Sequence, residues 1–167
     1  CFSAGAKMVS LRDPEIIDDA GDFYCALGWA FARGKGRPQT LYRTPCDIFA
    51  ACGGAAVYRR DILLELGLFD EAYFAYLEDI DIGYRARMRG NTNRFAPDAV
   101  VRHAGSASSG SRYNAFKVRL SSRNSVYLIG KNMPPAQILV NLPFLLGGFL
   151  IKYLFFLQKG YGAVYAR

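Results

Sequence analysis

Apolar and polar positions alternate along the chain in a way that predicts a mixed set of strands and helices. Gly5–Leu11 (GAKMVSL) reads as a short strand, followed by a turn-rich connection, RDPEIIDDAGD, broken by Asp-Pro and Ala-Gly-Asp. Ala32–Thr40 (ARGKGRPQT) is a basic glycine loop without the G-x-x-x-x-G-K-[ST] spacing of a phosphate cradle. Cys46–Arg60 is apolar at nearly every position and predicts a buried strand interrupted by Gly53-Gly54. Paired glycines in a strand mark either a bulge or the close approach of a ligand. Arg59–Gly67 and Leu77–Gly90 each predict a helix closed by glycine, and TNRFAPDAVVRHAG predicts one or two strands ending near His103. After the small-residue loop Gly105–Arg112, helical spacing returns from Tyr113 to Lys131 through Ala115, Val118, Ser122, Val126 and Ile129.

Pro134-Pro135 ends that helix, and Ile138–Leu157 follows as a 20-residue, mostly apolar stretch. It has the length of a membrane span, about 20 residues for a core of about 30 Å. Pro143 and Lys152 inside it leave three readings: a helix lying in the membrane interface, a span or re-entrant hairpin, and a helix buried against further protein.

Composition sharpens this division. Apolar residues make up 51% and charged residues 21%, which supports a packed core and excludes a disordered chain. Residues 1–98 hold 12 Lys/Arg and all 14 Asp/Glu, a balance of −2, whereas residues 99–167 hold 9 Lys/Arg and no acid, a balance of +9. The basic end suits phosphates, nucleic acid or an anionic membrane face. The cysteines at 1, 25, 46 and 52 match no zinc spacing, and there is one His, so reduced thiols are expected. The chain opens on Cys1 in an apolar run, as a fragment would.

The densest chemistry is FAYLEDIDIGYRARMRG, Phe74–Gly90, with Glu78, Asp79 and Asp81 followed by Arg85, Arg87 and Arg89. Helix electrostatics alone explains that order, since acids stabilise the first turn and bases the last, and Asp81–Arg85 is an i,i+4 pair. A calcium loop is excluded because the twelfth position from Asp79 is Gly90. A two-carboxylate hydrolase is compatible with the acids but not singled out by them.

The run GGAAVYRRDILLELGLFDEAYFAYLEDIDIGYRARMRG, continuing to NRFAPDAVVRHAGSASS, resembles the C-terminal half of family 2 glycosyltransferases of the non-processive, rhamnosyltransferase-like branch. The resemblance covers roughly Gly5 to Lys131 and implies an α/β fold. This would be a partial, Rossmann-like GT-A domain over residues 1–112, a mixed sheet with flanking helices, and then a basic, apolar helical extension over 113–167. It implies that Asp79 is the general base, that Glu78 helps position the acceptor, and that Asp81 orients the segment through Arg85 on the donor and acceptor side. Gly53 and Gly54 would let the sugar or acceptor approach closely. His103 would complete the coordination of a Mn²⁺ or Mg²⁺ ion. Gly105–Arg112 would be a lid, with Arg112, Arg119 and Arg123 as phosphate contacts.

The implied partners are a nucleotide-sugar donor, a glycan or lipid-linked acceptor and an anionic membrane surface, with no nucleic acid. The implied location is the cytoplasmic face of the cell membrane. The family's Asp-x-Asp is absent, Asp18-Asp19 being placed in a turn beyond it, and the Gln-x-x-Arg-Trp of processive synthases is absent as well. The chain alone is therefore expected to lack the donor base-binding site and to be inactive. The rival reading from another class is a membrane-associated binding module without catalysis.

Overall fold

The computed structural model describes residues 1–105 and 113–167. Its elements are β1 (Ser3–Ser10), β2 (Ile17–Asp19), β3 (Asp22–Tyr24), β4 (Ala30–Ala32), β5 (Cys46–Ile48), β6 (Ala56–Tyr58), α1 (Arg60–Glu65), α2 (Glu78–Met88), β7 (Asn93–His103), α3 (Ala115–Asn132), α4 (Pro135–Gln158) and α5 (Gly162–Tyr165). The main sheet runs β2-β1-β7-β5, with β6 also paired to β1. β1 and β7 are parallel and the other pairs antiparallel, which is the mixed sheet of a partial GT-A domain. A small β3–β4 hairpin stands apart.

Two predicted elements take a different form. Cys46–Arg60 is not one strand: β5 ends at Ile48, β6 begins at Ala56, and Gly53-Gly54 lies in the turn between them. The pairing partners explain the split, because β5 pairs with β7 and β6 with β1. The Arg12–Asp22 connection contains β2, so Asp18 and Asp19 sit on an edge strand rather than in a turn.

Strand β7 is single and long. Its register to β1 slips between Ala6 and Lys7, where Ala96 and then Val100 are the partners. Pro97 lies in the slipped segment, as expected of a residue that cannot donate to a ladder. The strand resumes to bring His103 opposite Ser10.

Helix α2 packs its Ile82 and Ala86 with Phe2, Ile62 and Leu66, and its Ile80 with Ala50, Tyr73 and Leu128 of α3. Buried Asn93 rivets this layer together. It accepts from Ser3 Oγ at 2.7 Å and donates through Nδ2 to the carbonyls of Phe49 at 2.6 Å and Gly83 at 3.2 Å. α4 shares little of the core. Leu145 and Gly148 are its buried residues, while Leu139, Val140, Phe144, Leu146, Leu150 and Ile151 are exposed. It is long and apolar enough to cross a membrane.

Candidate functional site

One cleft of about 570 Å³ gathers most of the predicted chemistry. Its walls come from the β2–β3 segment, the Gly53-Gly54 turn, the start of α2, the end of β7 and Ser121 of α3. Two flanking features decide which acids face it. The backbone enters α2 through Leu77 in a left-handed conformation, so the helix begins abruptly at Glu78. Successive helical residues then rotate by about 100°. Glu78 and Asp79 therefore open on the cleft, and Asp81 turns to the opposite side.

Asp79 is held by two backbone donors. Gly53 N–H donates to its Oδ2 at 2.9 Å and Ile80 N–H to its Oδ1 at 2.8 Å. Burial raises its pKa above the ordinary carboxylate value, against the lowering effect of those two bonds. Glu78 is also raised, first by burial and then by the Asp79 charge, and its Oε2 is buried without a hydrogen-bond partner among the described residues. Gly53 touches the carboxylate directly, and a Cβ there would lie 3.7 Å from Oδ2. A Cβ on Gly54 would press Met8 Cε at 3.2 Å. The glycine pair thus lines the cleft in a turn rather than a strand, with tight contact at Gly54 alone.

His103 lies on the same cleft, with Nδ1 2.5 Å from Asp18 Oδ2. A carboxylate at Nδ1 places the proton there and leaves Nε2 without a partner among the described residues, the arrangement usual for a metal-ligating imidazole. Burial raises the Asp18 pKa, but Lys35, 2.5 Å away, and His103 outweigh it and hold the carboxyl below its usual range.

Deeper in the cleft, Asp19, Asp22 and Cys52 bring ligand atoms within 4.8 Å of one another. Burial, then mutual repulsion and the nearby Asp79 charge, raise the Asp22 carboxyl strongly. Asp19 is raised as well, chiefly by burial. Burial pushes the Cys52 thiol up to about 12, so it stays a thiol at neutral pH. The β2–β3 acids and Lys35 are not among the residues singled out from sequence. Their one signal is Ile16-Ile17 ahead of three aspartates in five positions, a pattern that also fits an exposed turn.

Three expected site residues stand elsewhere. Asp81 is fully buried and does not line the cleft. It pairs with Arg85 at 2.7 Å and accepts from Asn132 Nδ2 at 2.7 Å, Lys131 Nζ at 3.1 Å and Tyr73 Oη at 3.2 Å. Arg85, the i,i+4 partner expected from the sequence, also donates to the carbonyls of Leu66 and Leu68. Arg119 and Arg123, four residues apart on α3, are not among the described residues that line the cleft. Arg123 donates to the Ala72 carbonyl, and Arg119 is exposed and lines a separate hollow together with Val164 and Arg167. Arg112 and the proposed lid from Ser106 onward lie outside the described residues.

Such a cleft offers a positioned, partly desolvated carboxylate, a free imidazole nitrogen and a carboxylate cluster, a set suited to proton abstraction beside a cation. Comparison with known proteins agrees in family. The N-acetylglucosaminyl-diphospho-decaprenol L-rhamnosyltransferases of Mycobacterium tuberculosis strains CDC 1551 / Oshkosh and ATCC 25618 / H37Rv are each 38% identical over 109 residues, 65% of this chain and 34% of the relative. The chain thus spans about a third of the length of the curated relatives it matches. The sequence profile described as "Glycosyltransferase like family 2" matches residues 38–125, more than half of the chain, and to that family the chain belongs.

Proposed function

We propose that this chain is the acceptor-side part of an inverting transferase that moves one sugar from a nucleotide-sugar donor to a lipid-linked or polysaccharide acceptor. The observation that carries this reading is Asp79. Its carboxylate is fixed by Gly53 and Ile80, faces the cleft, and has a raised pKa that strengthens it as a base. As the acceptor oxygen attacks the anomeric carbon, its proton passes to Asp79. The bond from that carbon to the diphosphate breaks, and the electron pair leaves with the nucleoside diphosphate. Glu78, beside Asp79 on the same wall, orients the acceptor.

His103 Nε2 fits a divalent cation, because Asp18 engages the other ring nitrogen. A Mn²⁺ or Mg²⁺ ion there supplies a Lewis acid for the diphosphate charge. The relatives are named for a decaprenol-linked substrate, which supports a lipid-linked acceptor. The exposed apolar surface of α4, with the acid-free basic end of the chain, supports docking at the cytoplasmic face of a membrane. The same α4 surface favours a second reading, a non-catalytic membrane-bound module, which is indifferent to Asp79.

The test is D79N in the full-length transferase. Transfer is expected to vanish while donor binding survives, and near-normal turnover would refute the assignment. Retained membrane binding with no sugar transfer by the wild-type enzyme would favour the second reading.

A further inference from the structure

The loop that delivers Glu78 and Asp79 has a backbone that bulky residues avoid. Phe74, Tyr76 and Leu77 have φ of 61°, 70° and 69°, and none is glycine. Three non-glycine residues with positive φ within four positions, Phe74 with ψ of −57° and Leu77 in the left-handed region, persist only where surrounding structure enforces them, and such strain gathers at functional sites.

The enforcement comes from α3. Asn124 is fully buried, and its Nδ2 lies 3.0, 2.8 and 2.8 Å from the carbonyl oxygens of Tyr73, Ala75 and Tyr76. Two N–H groups serve three acceptors, so one is shared. Turning the amide over would set Oδ1 against three carbonyls, so the chemistry fixes its orientation. Oδ1 has no hydrogen-bond partner among the described residues, as befits a side chain held for its donors. The Tyr76 carbonyl immediately precedes Leu77, the left-handed residue that starts α2, and the Leu77 carbonyl accepts from Asp81 N–H at 2.9 Å. Rotation in this run would swing the first turn of α2 away from Gly53.

We propose that Asn124 is a positioning residue for Asp79. It clamps the 74–77 turn from α3 and so sets the angle at which Asp79 meets the acceptor, while touching neither substrate. Asn124 is absent from the cleft wall. The inference rests on the reading of Asp79 as general base.

The experiment compares N124A, N124D and D79N in the full-length transferase, with donor affinity measured by calorimetry and turnover expressed per folded molecule. N124A is expected to lower kcat at least tenfold with donor Kd within twofold of wild type. A kcat within twofold of wild type, even with a lowered melting temperature, overturns the proposal and leaves Asn124 a purely structural residue. N124D has the same shape with no N–H to give, and is read by the same criterion where N124A does not fold. Full activity of D79N would bring down the base assignment itself. An inactive D79N beside a fully active N124A would bring down the clamp alone.

Discussion

Gly83 lies in the middle of α2 with its Cα against the segment that leaves β5. A Cβ built there would stand 2.6 Å from Ala50 Cβ, 3.0 Å from Ala50 Cα and 3.2 Å from the Phe49 carbonyl oxygen. Ordinary contact begins near 3.4 Å, so G83A requires the helix to retreat by about 0.8 Å. Two of the three atoms are backbone, so no side chain can swing aside. Asn93 bridges the same two elements, and its 3.2 Å bond to the Gly83 carbonyl would stretch beyond hydrogen-bonding length. Overpacking costs about 1–3 kcal/mol and the lost hydrogen bond about 1 kcal/mol, against a helix-propensity gain of about 1 kcal/mol.

The net expectation for G83A is a loss of about 1–3 kcal/mol. Gly130 supplies the control. It is exposed on α3 with nothing within 4 Å of its would-be Cβ, so G130A keeps the propensity gain alone. Urea unfolding followed by far-ultraviolet circular dichroism measures both. G83A should unfold at lower urea with an unchanged slope, and G130A at slightly higher urea. In thermal melts a chain of this size shifts by about 2–4 °C per kcal/mol. A G83A protein as stable as G130A would refute the packing argument, since the two substitutions differ only in the space around the added methyl.

Two further outcomes follow from the cleft and from α4. Asp22 has a folded pKa above its unfolded value, so its contribution to wild-type stability falls as pH rises from about 4 through the folded value, by up to about 1.4 kcal/mol per pH unit while the proton is retained. The advantage of D22N over wild type should therefore grow between pH 5 and pH 8 in urea melts, and a constant difference would contradict the raised pKa. Leu146 and Leu150 are both exposed on one face of α4, so L146E/L150E should abolish flotation with anionic liposomes. Flotation equal to wild type would exclude that face as the contact.

The helices were legible because their period is local. α2, α3 and α4 follow from apolar spacing, from the capping glycine after α2 and from Pro134-Pro135, all within a few residues of where they act. Gly53-Gly54 marked the break between β5 and β6, but nothing in Cys46–Arg60 tells which partner each half will find 40 or more residues away. Asp19 and Asp22 were missed for the same reason. Their meaning depends on Cys52 and Asp79 arriving from other elements, which turns a polar connection into a buried acidic floor. Asn124 carried no signal at all, because an asparagine inside a helical pattern reads as a weak helix former until the carbonyls it serves are known.

The acids of α2 show how one local rule serves two ends. A helix start tolerates Glu78, Asp79 and Asp81 alike, so first-turn electrostatics does not distinguish them. What separates them is the neighbour each rotation meets. Asp81 turns into the α2–α3 interface, where Arg85, Lys131 and Asn132 compensate its burial. Asp79 turns toward the cleft, where two peptide N–H groups fix its oxygens but no cation among the described residues offsets its burial, so its pKa is raised. The compensated carboxylate holds the helix in place. The uncompensated one keeps affinity for a proton, and that surplus is what a base needs. α3 touches both, through Asn132 to Asp81 and through Asn124 to the turn before Asp79, so the order of charges along the sequence becomes a division of labour only once that helix is packed.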